Sequence, residues 1–287
     1  MPSLLDIQKF LDDMESEDNL PPISEAKVAR LDNPESFVVI TEDDTILGIG
    51  VAATHPQSGG TLHWSVETAV PRSMRFPAFE TAVLSAAIDL VPKGSAMSVW
   101  SARTSLASAL DDFGFAAVRS LAYMVVSLPM DESSQVREHD DFVVRQLRED
   151  DTDAFLIANA DAFRDHREAA SLTKAEFDDL KTAAWFDASG LLVAEQGQRL
   201  IGFCWTKVHP NGDGEIYRIG VVHDEQGRGV ARTLLDEGFR HLSRQEGVTR
   251  GSLWVDESNT GAVDLYVSAG MRAERTTKEF EDSRKSS

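Results

Sequence analysis

The amino-acid sequence predicts two tandem domains of the α/β (α+β) class, each a mixed, mostly antiparallel sheet flanked by helices. Three observations predict it. A pattern of apolar runs and polar turns in the first half returns in the second at one long offset. Each copy opens with a hairpin, and the second copy continues as strand, glycine-rich loop, helix, strand and helix.

At 287 residues the chain exceeds the size at which a single core stops growing, and 42% apolar with 8% aromatic residues is ample for two packed interiors. In the first half, Phe37 to Ile40 is followed by acidic turn residues, then by Ile46 to Val51 and His55-Pro56. In the second, Leu191 to Ala194 is followed by a polar turn, Leu200 to Trp205 and His209-Pro210. The same 154-residue offset separates Gly48 from Gly202 and His55 from His209. That is far longer than a solenoid period, so the halves read as two copies of one whole domain. Residues 128–141 are polar with almost no apolar periodicity, which marks a linker and gives domains 1–130 and 141–287.

In each copy the two apolar runs make an antiparallel hairpin, and Thr61 to Val66 and Glu215 to Val221 form the next strand. The two His-Pro pairs read as turns. After Val221, Val230, Leu234, Phe239 and Leu242 lie near helical spacing, so a helix is expected from about Gly229. Ser252 to Val255 reads as a strand, and a helix over 260–269 stops near Gly270, where a glycine readily ends it.

The segment that carries chemistry is Gln226, Gly227, Arg228, Gly229, Val230 and Ala231, between the expected strand and helix. Glycines let a backbone approach a ligand closely, and the free amides of a helix N-terminus suit pyrophosphate oxygens, here with Arg228 and Arg232 alongside. Read alone, the glycines are equally an ordinary turn. A P-loop would need Gly-Lys-Ser/Thr, and a dinucleotide fold would need parallel crossovers around Gly-x-Gly-x-x-Gly; neither pattern is present.

The net charge of −20, from 48 acidic and 28 basic residues, repels a phosphate backbone, so nucleic acid and anionic membrane are set aside as partners. The excess is either a solubilising surface or an attraction for a cationic amine. The single cysteine, Cys204, excludes an internal disulfide and sits in an apolar strand as a small core residue. No basic region followed by an apolar core opens the chain, and no apolar run is long enough to cross a bilayer. A cytoplasmic, reducing location is expected, and the seven histidines show no close metal-ligand pairing, so no metal is expected.

Strand, Gln-x-x-Gly-x-Ala loop, helix, strand, Asn259, Leu265-Tyr266 and Gly270-Met271 together resemble the core of GNAT acetyltransferases. The run from Gly202 to Pro210, Ala162 to His166, the first-half ending from Asp112 to Met124 and the paired-domain layout resemble the tandem-domain mycothiol synthase family more narrowly. The likeness implies transfer of acetyl from acetyl-CoA to the cysteine amine of cysteinyl-glucosaminyl-inositol (desacetylmycothiol); a monomer is expected. The alternatives are the same fold acting on another small amine, and a non-catalytic acyl-CoA sensor.

Taken by itself, Glu215 is either an exposed strand-edge glutamate or a carboxylate able to accept an amine proton; the resemblance implies the base. Tyr266 is either a core aromatic or a phenol that protonates the departing CoA thiolate; the resemblance implies the latter. It further implies that Ile219, Gly220 and Val221 hold the pantetheine arm, with Gln226 to Arg232 on the pyrophosphate. Asn259, Thr260, Gly261, Ala262, Val263 and Asp264 then line the CoA side. Substrate contacts are implied for Glu25, Asp165, Lys207, Glu215 and Trp254. In the first copy, Val70 to Pro77 replaces the glycine loop, and prolines lack the amide donors, so that domain is expected to do no chemistry; Arg72 and Arg75 remain as possible phosphate grips.

Overall fold

Apolar alternation sets the strands and helical apolar stripes set most of the helices, as a computed structural model shows for residues 2–18, 21–28, 30–56, 62–130, 141–164 and 172–282. In chain order the first half comprises α1 (Leu4–Asp18), α2 (Glu25–Val28), β1 (Phe37–Glu42), β2 (Thr45–Pro56), β3 (Leu62–Ala69), α3 (Pro77–Ile88), β4 (Met97–Ser101), α4 (Ala107–Asp112) and β5 (Phe115–Ser127). There follow β6 (Val143–Gln146), α5 (Thr152–Ala162), α6 (Lys174–Leu180), β7 (Leu191–Gln196), β8 (Arg199–Val208), β9 (Gly214–Val221), α7 (Val230–Ser243), β10 (Arg250–Asp256), α8 (Thr260–Ser268) and β11 (Arg272–Asp282).

The described residues form two compact units. One holds those up to Ser120 together with those from Thr276 onward; the other is Leu121–Arg275. The polar stretch at 128–141 suggests a break there, and its residues 131–140 lie outside the described set. The units change over elsewhere because strand pairing, not composition, holds the ends. From Leu121 to Ser127, β5 pairs antiparallel with β10 of the second unit. Lys278 to Glu281 of β11 pair antiparallel with β4 of the first.

In the first unit β1, β2 and β3 form an antiparallel meander, β3 runs parallel to β4, and β4 pairs with the end of β11. α1 buries Ile7, Leu11 and Met14, one stripe at helical spacing, in a cluster with Ile49 and Val51 of β2. Leu84 and Ala87 of α3 join Val66, Val99 and Phe280 in a second cluster. The turn expected at His55-Pro56 is not a turn: β2 runs on through it, with His55 opposite His63 and Pro56 opposite Leu62. A proline at the last residue of a strand has no later ladder position to disrupt.

In the second unit β6 to β9 are antiparallel, β9 touches β10 in parallel, and β10 pairs with β5. Alternation along β8 gives the sheet two different faces. Cys204 and Thr206 point toward α7, where Gly238 lets helix and sheet approach closely. Phe203 and Trp205 point the other way, into an aromatic cluster with Phe155 of α5 and Phe177 of α6.

Candidate active site

The centre of the second unit is strand β9. On one side it pairs with β8, with a bulge at Tyr217 where Trp205 opposes Arg218 and Thr206 opposes Ile216. On the other side its parallel register with β10 covers only Gly214 opposite Gly251 and Glu215 opposite Ser252, while β10 continues to Asp256 in pairing with β5. From Ile216 to Val221 the described pairing of β9 is therefore with β8 alone, and its β10-side backbone is open to an extended ligand that bonds as a strand would. Ile219, Gly220 and Val221 lie in this open stretch. The Val221 carbonyl accepts a hydrogen bond from Gln226 Nε2 at 3.2 Å, so Gln226 pins the following loop onto the strand.

The loop then makes two left-handed steps that glycine permits, Gly227 at φ +76° and Gly229 at φ +87°. Gly229 is the residue that opens α7, and α7 carries no acidic side chain in its first turn. The first amides of that helix have no carbonyl partner within it, which leaves Val230, Ala231 and Arg232 as anion donors. The two arginines are already engaged. Arg228 pairs with Glu225 at 2.5 Å and approaches Asp141 at 3.5 Å. Arg232 bonds Asp236 at 3.0 Å and the Ser268 carbonyl of α8 at 3.3 Å. The anion donors that this loop offers are accordingly backbone amides more than guanidinium charge.

Asn259 opens α8 by accepting from the Ala262 amide at 3.2 Å. Thr260, Gly261 and Asp264 are exposed around this helix start, and Ala262 and Val263 are half-buried. Tyr266, one helical turn on, is only 6% exposed. Burial, and then the nearby Cys204 thiol, push its phenol above the usual range, so it stays protonated through neutral pH. That is the form a proton donor needs. Cys204 is itself fully buried, and burial raises its thiol pKa, which suits a core residue rather than a nucleophile.

Glu215 lies on the sheet face opposite α7, because its neighbours Gly214 and Ile216 face that helix. Its register partner across β8 is Lys207, which is 3% exposed, and the Lys207 ammonium stands 4.8 Å over the Trp185 ring and 5.8 Å from that of Tyr217. The ammonium is thus held in an aromatic wall. Glu215 Oε2 meets His209 Nε2 at 2.7 Å. On β10, Trp254 is half-buried and packs against Tyr123 with ring centroids 4.9 Å apart, and Arg275 lies 4.0 Å over the same Tyr123 ring. Glu25 begins α2, its side chain outside the described set, and Asp165 also falls outside it. His209, Tyr217, Trp185 and Tyr123 are site neighbours that sequence reading passed over. The one local signal was the spacing of Lys207 and His209, two apart on a strand and hence on one face.

In the first unit the segment from Val70 to Phe76 contains a short 3-10 turn, Arg72–Met74, and leads to α3, with Pro77 in its first turn. Arg72 Nε bonds Asp18 at 2.8 Å, and Arg75 grips both oxygens of the same carboxylate. The two guanidiniums expected to be left for a phosphate are thus occupied by a carboxylate of the chain itself.

An open strand running into a glycine turn and the bare N-terminus of a helix, beside a carboxylate and a protonated phenol, is the layout of an acyl-CoA-dependent N-acetyltransferase. The sequence profile of the Acetyltransferase (GNAT) family matches residues 138–271. The chain is 32% identical to the mycothiol acetyltransferase of Streptomyces avermitilis, covering 93% of this chain and 87% of that one. Among solved structures, a GCN5-related N-acetyltransferase from Sphaerobacter thermophilus is similar with a TM-score of 0.72 at 21% identity, covering 98% and 93% of the two chains. A tandem GNAT protein from the clavulanic acid biosynthesis pathway is similar in fold, with a TM-score of 0.71 at 13% identity over 97% and 95%. The chain belongs to the GNAT acetyltransferase family, an acetyl-CoA-dependent N-acetyltransferase with a small-molecule substrate. Within that family, the mycothiol acetyltransferases of Thermobispora bispora and Kocuria rhizophila are each also 32% identical to it, over 79% and 88% of their own lengths and 82% and 88% of this chain.

Proposed function

We propose that this enzyme forms mycothiol, moving acetyl from acetyl-CoA to the cysteine amine of cysteinyl-glucosaminyl-inositol. The observation that carries the reading is the open edge of β9 between Glu215 and the glycine loop, in a chain similar to a mycothiol acetyltransferase over 93% of its length. The pantetheine arm pairs along Ile219 to Val221, and its pyrophosphate rests on the amides from Gly227 to Arg232, with Asn259 to Asp264 flanking it.

The neutral amine attacks the thioester carbonyl carbon. The new N–C bond forms as C–S breaks, the nitrogen proton passes to Glu215, and the thiolate takes a proton from Tyr266. A backbone amide of the open strand stabilises the oxyanion. The face bearing Lys207, Glu215, Tyr217 and Trp254 joins polar groups to aromatic walls, a chemistry suited to a polyhydroxylated substrate with a cationic end. Glu25 and Asp165 are assigned to the same substrate by resemblance alone.

The reading includes a cytoplasmic, monomeric enzyme that uses no metal and binds neither nucleic acid nor membrane. The net charge of −20 supports the last two, and among the described residues no helix is long and apolar enough to cross a membrane. The test is thiol release from acetyl-CoA with cysteinyl-glucosaminyl-inositol, beside cysteine, glucosamine and a polyamine. Strong preference for the pseudo-disaccharide is expected. Turnover only with other amines keeps the chemistry and removes this substrate, and silence with all of them points to a sensor.

A further inference from the structure

The hairpin that joins β8 to β9 brings an imidazole onto the catalytic carboxylate. Val208 opposes Gly214, and the five residues between them close the turn. The His209 amide donates to the Asp213 carbonyl at 2.8 Å, and the His209 carbonyl accepts from the Gly212 amide at 2.9 Å, so both backbone groups of His209 are tied down. Gly212 takes a left-handed φ of +85°, and Asn211 Oδ1 accepts from the Asp213 amide at 3.0 Å. Two-residue alternation then puts Lys207, His209, Asp213 and Glu215 on one face. Nε2 of His209 sits 2.7 Å from Oε2 of Glu215, with the two side chains 19% and 13% exposed.

We propose that His209 is a positioning residue for Glu215: its Nε2–H holds Oε2 of the carboxylate, so that Oε1 faces the substrate amine and takes its proton. This rests on the reading of Glu215 as the base. An ionised carboxylate has no proton to share, so a hydrogen bond at this distance requires the imidazole to carry its hydrogen on Nε2. The bond removes one of the two oxygens from competition and fixes the carboxyl plane, which a lone glutamate at a strand start could not do for itself. In the reaction the nitrogen–carbon bond forms, the carbon–sulfur bond breaks, and the nitrogen proton ends on Oε1 while Oε2 keeps its imidazole donor. Among the described residues, the other charged or titratable groups around this pair include Lys207 on β8, held over Trp185, Tyr217 on β9 beside that ammonium, Asp213 in the turn, and Arg250 on β10, 3.9 Å from Asp213. Tyr123 of β5 lies beyond, its ring 6.0 Å from Arg250.

The test compares His209→Ala, His209→Gln and Glu215→Gln in the full chain. It uses acetyl-CoA and whichever of cysteinyl-glucosaminyl-inositol, cysteine and glucosamine the unmodified enzyme turns over best. His209→Ala is expected to lower kcat between roughly tenfold and a hundredfold with KM for acetyl-CoA unchanged. His209→Gln, whose amide N–H can replace Nε2–H, should recover a measurable part of the loss; a histidine that merely shapes the turn would give neither a loss confined to kcat nor a rescue by glutamine. Full turnover in His209→Ala, with Glu215→Gln inactive, overturns this proposal alone. A folded His209→Ala that His209→Gln does not improve on overturns it as well. Full turnover in Glu215→Gln overturns it together with the base assignment beneath it.

Discussion

Gly238 of α7 and Cys204 of β8 approach so closely that a methyl on the glycine would stand 2.6 Å from the cysteine sulfur and 2.8 Å from Ile216 Cδ1. In an open helix, glycine to alanine is favourable by about 1 kcal/mol. Here the sign reverses, because neither the thiol nor the isoleucine can withdraw from a packed sheet face. Gly238→Ala is expected to lose about 1–3 kcal/mol and to lower Tm. Since the amides proposed to hold the pyrophosphate lie at the start of α7, KM for acetyl-CoA should rise with it. Thermal unfolding and steady-state kinetics check the two parts separately, and a variant of unchanged or higher Tm defeats the argument.

Gly229→Ala tests the loop itself. Its φ of +87° costs a side-chain-bearing residue about 1–2 kcal/mol. The backbone can relax only by turning the first amides of α7. The expected outcome is a clear increase in KM for acetyl-CoA with a smaller change in kcat, read from thiol release at varied acetyl-CoA. A variant with the parent KM shows that these amides do not hold the pyrophosphate.

Tyr266→Phe keeps the packed ring and removes the hydroxyl. Turnover should fall by about tenfold or more, while Tm stays near that of the parent. Because burial raises the phenol above its ordinary range, its proton is retained below that range and lost only well above it. Burial therefore costs the fold nothing through this group at neutral pH, and the penalty for ionising it appears only in strong alkali. No neutral-range limb of the rate profile should vanish in the phenylalanine variant. Loss of such a limb would assign the titration to Tyr266 and contradict its burial.

Arg145 offers a stability test away from the chemistry. Its guanidinium bonds Asp151 at 2.5 Å and Glu195 at 2.6 Å, tying β6 to the turn before α5 and to β7. These bonds hold both carboxylates below their usual range. For such groups the stabilisation is present above the unfolded carboxylate range and is lost as pH falls through the lower folded values. Arg145→Ala should unfold a few degrees lower than the parent at neutral pH, and the gap should close in acid. A gap that persists when both carboxylates are protonated would mean that packing of the arginine stem, not charge, is what was removed.

Much of the second unit was legible locally. Leu191 to Ala194 and Leu200 to Trp205 are apolar runs bounded by a polar turn, and they form β7 and β8 as read. Val230, Leu234, Phe239 and Leu242 form one stripe that is buried in α7. Gly227 and Gly229 stand where two positive φ angles are needed, which a sequence can announce because almost no other residue takes them. The His209 contact could not be read, since a histidine before a proline looks like a turn residue whatever its ring touches. The bulge at Tyr217 and the release of β9 from β10 after Glu215 were equally silent. The seat of the Lys207 ammonium was silent as well, since Trp185 reaches it from the segment before β7.

By itself, then, the sequence determined the α/β class, the strand–loop–helix order and the residue types at the loop, because apolar periodicity and backbone freedom are local properties. Only the tertiary structure decided which strands exchange partners at Leu121 and Thr276. It alone decided that Arg228 and Arg232 are already paired, and that His209 rather than Lys207 meets the Glu215 carboxylate. Those outcomes depend on which distant segments come together. Pairing energies between residues far apart in the chain leave no periodic trace along it.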